Sequence, residues 1–256
     1  MLRENRVRRA LQKGETVFGT MVQEMRTPSV AQALAAAGLD FLMIDLEHGA
    51  FDLETVADIC QVARLAGIVP LVRASDHGYP WLARPLDVGA MGVMVPRVES
   101  RAQVEELAQM VRYPPAGRRG CAVTLRQTEF SRVPVQEWIA WANAETLFIA
   151  QIEERSAIEE IEGIVSVPGV DVALIGPNDL SISLGVPGQV DHPIMQEAMT
   201  RVVEAAARHG VASGLHIADL STLRAWQGRG MRFLMYSNEV GLMRQAAEQA
   251  ARTVRG

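Results

Sequence analysis

The chain is 256 residues long, 48% hydrophobic and 21% charged, with a net charge of −5 at pH 7; that length accommodates one large core, and no low-complexity tract marks a disordered region. Its basic residues are dispersed rather than gathered with aromatics into a stripe, which argues against nucleic acid as the main partner. No apolar stretch approaches the roughly 18 residues of a membrane span, and the basic start LRENRVRRALQKG lacks the apolar region of a signal peptide, so a cytoplasmic protein acting on a small molecule is expected.

The opening polar segment, which carries Lys13, has the pattern of a surface helix. The first strand is VFGTMV (17–22), followed by a helical pattern at 28–37. FLMID (41–45) precedes a helix at 53–66, VPLVRA (69–74) one at 79–88, and GVMVP (92–96) one at 100–111. LFIAQIE (147–153) leads into 155–165, VALIG (172–176) into 193–209, ASGLHIA (212–218) into 219–229, and RFLMYS (232–237) into a last helix at 239–254. Each strand is a short apolar run, and each helix spaces its apolar residues three and four apart. Eight such alternations predict an α/β protein whose parallel sheet closes into a (β/α)₈ TIM barrel, one domain over residues 1–256. An open doubly wound sheet is the rival. Its usual sign is absent, because GTMVQEMRTPS contains no G-x-G-x-x-G and no P-loop occurs, so nucleotide cofactors lose support. The connections 113–146 and 177–192 are long enough to cover or line a site.

Cysteine and lysine usage narrows the chemistry. Cys60 and Cys121 make no close-spaced metal pattern and are expected as reduced thiols. Lys13 is the only lysine among 25 basic residues, which disfavours Schiff-base catalysis, since that mechanism needs an amine in the site.

Reactive groups of a barrel enzyme come from the C-terminal ends of its strands. Those ends carry Asp45, Glu47 and His48 after the second strand, Arg73 at the third, Gln151 and Glu153 at the fifth, Asn178 and Asp179 after the sixth, and His216 at the seventh. Gln151 and Glu153 share a face, and a carboxylate facing the interior is costly unless paired or bound to metal. Glu153 and Asp179, from adjacent strands, can converge to hold a hard cation such as Mg²⁺ or Mn²⁺ with water and substrate oxygens. The competing reading has Glu153 cap the next helix and Asp179 pair with an arginine. GPNDLS also has the form of a helix start, whose free amides favour an anion. His48 is either a base or a loop cap, Arg73 either a substrate contact or a partner for Asp45, and Asp87 at the least a helix anchor. His77, His192 and His209 lie in polar segments and are read as structural.

IDLEHG (44–49), PLDVGAMGVMVPRV (85–98), YPPAGRRG (113–120), QIEERSAIE (151–159) and IGPNDLS (175–181), in that order along nearly the whole chain, resemble the HpcH/HpaI family of divalent-metal-dependent pyruvate aldolases. The resemblance implies that Glu153 and Asp179 bind the metal, as Mg²⁺, Mn²⁺ or Co²⁺, and that Gln151, with the backbone of Asn178 and Asp179, holds pyruvate. It implies that His48 is the base, with Asp87 raising its basicity, and that Arg73 contacts substrate and stabilises the developing negative charge. Asp45, Glu47 and His216 stand around these groups as supporting residues; His216 and Met21 occupy mouth positions where relatives differ, and His216 is placed to touch the aldehyde.

The implied reaction is reversible cleavage of a 4-hydroxy-2-oxo acid to pyruvate and an aldehyde through a metal-stabilised enolate. Two alternatives stand beside it: a related barrel lyase or decarboxylase acting on oxaloacetate or acyl-CoA, and a noncatalytic metabolite-binding barrel. Arg118, Arg119, Arg126 and Arg132 form either a rim for an acidic or polyhydroxylated aldehyde or a solvated loop against a neighbouring subunit. The resemblance also implies a homo-oligomer, a hexamer built as a trimer of dimers, with the last helix packed on a partner.

Overall fold

Eight parallel strands close on themselves in chain order in the computed structural model, which describes residues 2–123 and 126–256. They are β1 (Val17–Val22), β2 (Phe41–Asp45), β3 (Val69–Arg73), β4 (Gly92–Val95), β5 (Leu147–Ile152), β6 (Val172–Ile175), β7 (Ala212–Ile217) and β8 (Phe233–Asn238). The helices among the described residues are α1 (Arg6–Gln12), α2 (Ser29–Ala36), α3 (Leu53–Ala66), α4 (Tyr79–Asp87), α5 (Arg101–Val111), α6 (Val135–Glu145), α7 (Arg155–Glu159), α8 (Ile161–Val165), α9 (Pro177–Ser183), α10 (Pro193–Arg208), α11 (Leu220–Gly228) and α12 (Glu239–Arg255). The expected single-domain (β/α)₈ barrel is therefore present, each strand starting within a residue of its predicted position. No helix among the described residues is long and apolar enough to cross a membrane.

Strand alternation divides the core in two and fixes where the chemistry lies. Phe41 and Met43 of β2 point into the barrel, whereas Leu42 and Ile44 point out to the helices. The inward series continues as Val69 and Leu71 on β3, Leu147 and Ile149 on β5, Val172 and Leu174 on β6, and Phe233 and Met235 on β8. Counting on by two along each strand brings Asp45, Arg73, Gln151, Gly176 and Ser237 to the next inward positions, and the same count gives Glu153, His216 and Gln23. Apolar side chains thus fill the barrel up to its mouth, and polar ones form the last layer.

Opposite the mouth, α1 closes the barrel. Asn5 is wholly buried; its Nδ2 donates to the Met91 and Glu145 carbonyls at 2.9 Å each, and its own amide donates to Glu145 Oε2 at 2.7 Å. The predicted helix 155–165 is two helices, because a break at Glu160 lets Ala157 and Ile158 as well as Ile161, Ile164 and Val165 reach the core. Helix α6 escaped prediction for a related reason. Its apolar residues serve two cores, Trp138 and Ala142 packing on Tyr113 while Trp141 also meets the barrel interior, so no single helical stripe is visible.

One inward position on β7 admits no side chain. A Cβ on Gly214 would stand 2.3 Å from the Phe233 carbonyl oxygen of the neighbouring strand, which cannot rotate away. Gly214→Ala should therefore lower stability by about 2–3 kcal/mol; denaturant unfolding followed by far-UV circular dichroism would read this as a lower midpoint at unchanged slope.

Candidate active site

At the carboxyl ends of the strands lies a cavity of about 480 Å³, lined by Met21 and Gln23 from β1 and its loop, His48, Arg73, Gln151, Asn178, Asp179, Val190, His216, Ser237 and Asn238. Of the two long connections, 177–192 lines it as expected. The described residues of the segment 113–146 do not. Tyr113 and Trp138 tie it to its own small core, and Arg119 stacks 4.6 Å over the Tyr113 ring.

The best-defined contact is between Asp45 and Arg73, paired in register on β2 and β3. Arg73 Nε donates to Asp45 Oδ1 at 2.8 Å and Nη2 to Oδ2 at 2.6 Å, in the two-pronged geometry that suits guanidinium and carboxylate. The two side chains are 0% and 7% exposed. Burial by itself raises the Asp45 pKa, but the Arg73 hydrogen bonds and charge outweigh it and hold the carboxyl below its ordinary value. Asp45 also accepts from Gln23 Nε2 at 2.8 Å and from the amides of Glu47 and His48 at 3.0 and 3.3 Å. It thereby shapes the loop that carries His48 to the cavity.

Negative charge is in excess on the neighbouring side. Glu47 bridges Arg73 Nη1 at 3.0 Å and Arg97 Nη2 at 2.6 Å. Glu153 is 2% exposed and lies just behind Gln151 and Gly176 rather than on the cavity wall. Its Oε1 accepts the Arg97 amide at 2.8 Å and its Oε2 accepts Gln151 Nε2. Burial first, then the charges of Glu47 and Asp179, push its pKa up to about 7 despite the Arg97 amide and the Arg73 charge. The Gln151 Oε1 atom is buried with no partner. A Cβ at Gly176 would fall 2.5 Å from Glu153 Oε2, so glycine keeps this space open.

These features fit a divalent cation. An under-compensated buried carboxylate, an unsatisfied amide oxygen and a cavity-facing Asp179 are the oxygen donors that such an ion takes. Among the described residues no three of His, Cys, Asp and Glu converge for a metal, so Glu153 and Asp179 would be its protein carboxylates, with water and substrate completing the shell.

Most predicted residues gather here. His48, Arg73, Gln151, Asn178, Asp179 and His216 line the cavity, while Asp45, Glu47 and Glu153 stand directly behind it. Asp87 lies elsewhere within this chain. It ends α4, which runs back toward the start of the strands, and it pairs with Arg119 at 2.6 Å; Arg119 packs near Met91, Glu145 and Thr146, just ahead of β4 and β5. Within this chain Asp87 is at the far end of the barrel from His48 and does not touch it. Arg118 pairs with Glu106 and Arg126 with Asp58, and none of Arg118, Arg119, Arg126 and Arg132 lines this cavity. His77, His192 and His209 hold, respectively, the Pro96 carbonyl, the start of α10 and Glu162.

Sequence reading missed Arg97, Gln23, Asn238 and Glu239. Arg97 has φ 51°, a turn that aims its amide at Glu153 while its side chain meets Glu47. Asn238 Nδ2 donates to Gln23 Oε1 at 2.6 Å. The buried Glu239 carboxylate accepts the amides of Gln23, Glu24 and Met25 at 3.0, 2.6 and 2.8 Å, fastening the β1 loop to β8. Continuing the inward count by two from Met21, as for Glu153 from Gln151, would have found Gln23; Arg97 continues the outward series Val93 and Val95 of β4 and would not have been found so.

Acidic and basic groups at strand ends, with the carboxylate pair described above, define a (β/α)₈-barrel enzyme site. The HpcH/HpaI aldolase/citrate lyase family model matches residues 21–246, and the chain belongs to that family. A hydroxypyruvate/pyruvate aldolase from Paraburkholderia phytofirmans is 32% identical, with 98% of each chain covered. A 5-keto-4-deoxy-D-glucarate aldolase from Shigella dysenteriae is 29% identical, over 90% of this chain and 89% of the other. The crystal structure of an HpcH/HpaI aldolase from Desulfitobacterium hafniense superposes with a TM-score of 0.92 at 35% identity, covering 96% of this chain and 95% of that one.

Asp45→Asn leaves Arg73 buried with only Glu47 to face it and should destabilise the fold by about 3 kcal/mol. Because the folded-state pKa of Asp45 is depressed, its contribution is complete above the ordinary carboxylate pKa and is lost only as pH falls below it. Urea unfolding should accordingly give the same deficit at pH 6 and at pH 8, and one that shrinks only in acid.

Proposed function

We propose that this chain is a divalent-metal-dependent pyruvate aldolase that reversibly cleaves a 4-hydroxy-2-oxo acid to pyruvate and an aldehyde. The observation that carries this reading is Glu153, buried, held beside Glu47 and Asp179, and pushed up to about 7. Glu153 and Asp179 would hold a divalent cation, which would supply Lewis acidity to the 2-oxo acid. Gln151 and the first-turn amides of Asn178 and Asp179, which have no helical acceptor, orient the substrate carboxylate and keto groups. Arg73 stays charged in its pair with Asp45 and presents a fixed positive field toward the oxygen on which negative charge grows. His48, carried on the loop that Asp45 shapes, takes the C3 proton in one direction and returns it in the other. Asp87 takes no part in this reading of a single chain. Mg²⁺, Mn²⁺ and Co²⁺ all suit the oxygen donors, and the reading places the enzyme in the cytoplasm.

The hexamer belongs to the same proposal. Only Glu239 of α12 is buried, while Met243 and Val254 are 56% and 85% exposed, so the helix offers an apolar strip to a partner subunit. Light scattering on the purified protein, with Met243→Glu as the disrupting variant, tests that assembly.

Exchange of pyruvate C3 protons for deuterium under saturating Mg²⁺ or Mn²⁺ isolates the first chemical step. His48→Ala and Arg73→Ala should each slow it by about 10²–10³-fold, and unchanged exchange in both would remove the mechanism. Proton and cation compete for Glu153, so affinity for Mn²⁺ should rise with pH to about 7 and level off above it. Titration calorimetry of metal-free protein reads this directly, and Glu153→Gln should abolish the pH dependence together with most of the binding.

A further inference from the structure

The wall of the mouth formed by β7, β8 and β1 carries a recognition feature that the donor chemistry leaves unused. His216 sits at the last inward position of β7, and its Nε2 lies 2.9 Å from the Ser237 carbonyl oxygen. A carbonyl only accepts, so Nε2 carries the proton and Nδ1 is left as a lone-pair acceptor. Burial, with the charge of Arg73, lowers the pKa of the ring and keeps it neutral, so this tautomer persists. The bonded nitrogen faces β8, and among the described residues no donor meets Nδ1, the edge that remains for the cavity.

The neighbouring amides are equally fixed in direction. The ionised Asp45 accepts only, so it is Gln23 Nε2 that donates to it at 2.8 Å. Gln23 Oε1 then accepts from Asn238 Nδ2 at 2.6 Å, and Asn238 Oδ1 accepts the Gly241 amide at 2.7 Å. Each amide nitrogen keeps a second N–H, and both residues line the cavity with His216. One fixed acceptor stands beside two fixed donors, the complement of a hydroxyl group, which donates and accepts at once.

We propose that His216, with Gln23 and Asn238, is the specificity-determining subsite for a hydroxyl group on the acceptor aldehyde. The proposal rests on the aldolase reading, which assigns the 2-oxo acid to the β5 and β6 side, at Gln151 and Asp179. The β7, β8 and β1 side is what the mouth then offers to the second substrate. An apolar aldehyde there strips water from Nδ1 and from the free N–H groups without replacing it, a penalty that a hydroxyaldehyde avoids.

The test compares kcat/KM for glycolaldehyde against acetaldehyde, and for glyceraldehyde against propionaldehyde, with pyruvate as donor, in wild type, His216→Leu and His216→Asn. Taking the ratio within each variant cancels any general loss of activity. His216→Leu should lower the hydroxyl preference about tenfold. His216→Asn, whose Oδ1 comes near the place of Nδ1, should stay within about threefold of wild type. The subsite is overturned if His216→Leu keeps the wild-type ratio, or if His216→Asn falls as far as His216→Leu, since bulk rather than the acceptor atom would then decide. A wild type that joins pyruvate to neither kind of aldehyde strikes instead at the aldolase reading, and this subsite falls with it.

Discussion

Arg73 points into a barrel packed with apolar side chains, and Asp45, its register partner, pairs with it there. Removing two such charges from water costs several kcal/mol each, and only the close two-pronged contact offsets this. Much of the mouth is built from what remains of their bonding capacity. Asp45 turns the loop after β2 by accepting the amides of Glu47 and His48. Through Gln23 and Asn238 it joins the first strand to the last, where Glu239 fastens the β1 loop a second time. The arginine is left with its orientation set and its charge undiminished.

Beyond that pair the balance of charge reverses. Glu47, Glu153 and Asp179 share the field of Arg73 and Arg97, and the most buried of them, Glu153, bears the cost as a raised pKa. A protein selected for stability alone would fill this position with an apolar side chain. The cost falls where Gly176 leaves room for Glu153 Oε2 to approach the backbone and where the Gln151 amide oxygen is buried without a partner. Three parts of the mouth thus differ in character: fixed positive charge on β3, under-compensated oxygens on β5 and β6, and directional neutral hydrogen bonding on β7, β8 and β1.

Particular residues show how far the linear order can be read. Glu153 was accessible to simple counting, because it continues the inward series Leu147, Ile149, Gln151 past the end of its strand. Arg97 was not sought, although it lies two positions beyond β4, since PRV reads as a turn and its role depends on a positive φ. Asp87 shows a different limit. Its motif is recognisable, yet within one chain the crossover helix returns it to the end of the barrel away from His48, where Arg119 holds it. The same limit applies to α6, whose apolar residues answer to two cores and so display no single period.

Periodicity in the sequence determined the alternation of strands and helices, the closed parallel barrel, and the layer at which polar side chains replace apolar ones, because these follow from local geometry repeated along the chain. Tertiary structure alone decided which of those polar groups meet. Closure of β8 onto β1 brings Asn238 to Gln23 across more than two hundred residues. Burial opposes ionisation of both Asp45 and Glu153, and it is the Arg73 partner that holds Asp45 below its ordinary pKa while Glu153 is pushed up, although both are inward carboxylates at strand ends. The difference between them is the partner and the dielectric each meets in space, and neither is written in the residues beside it.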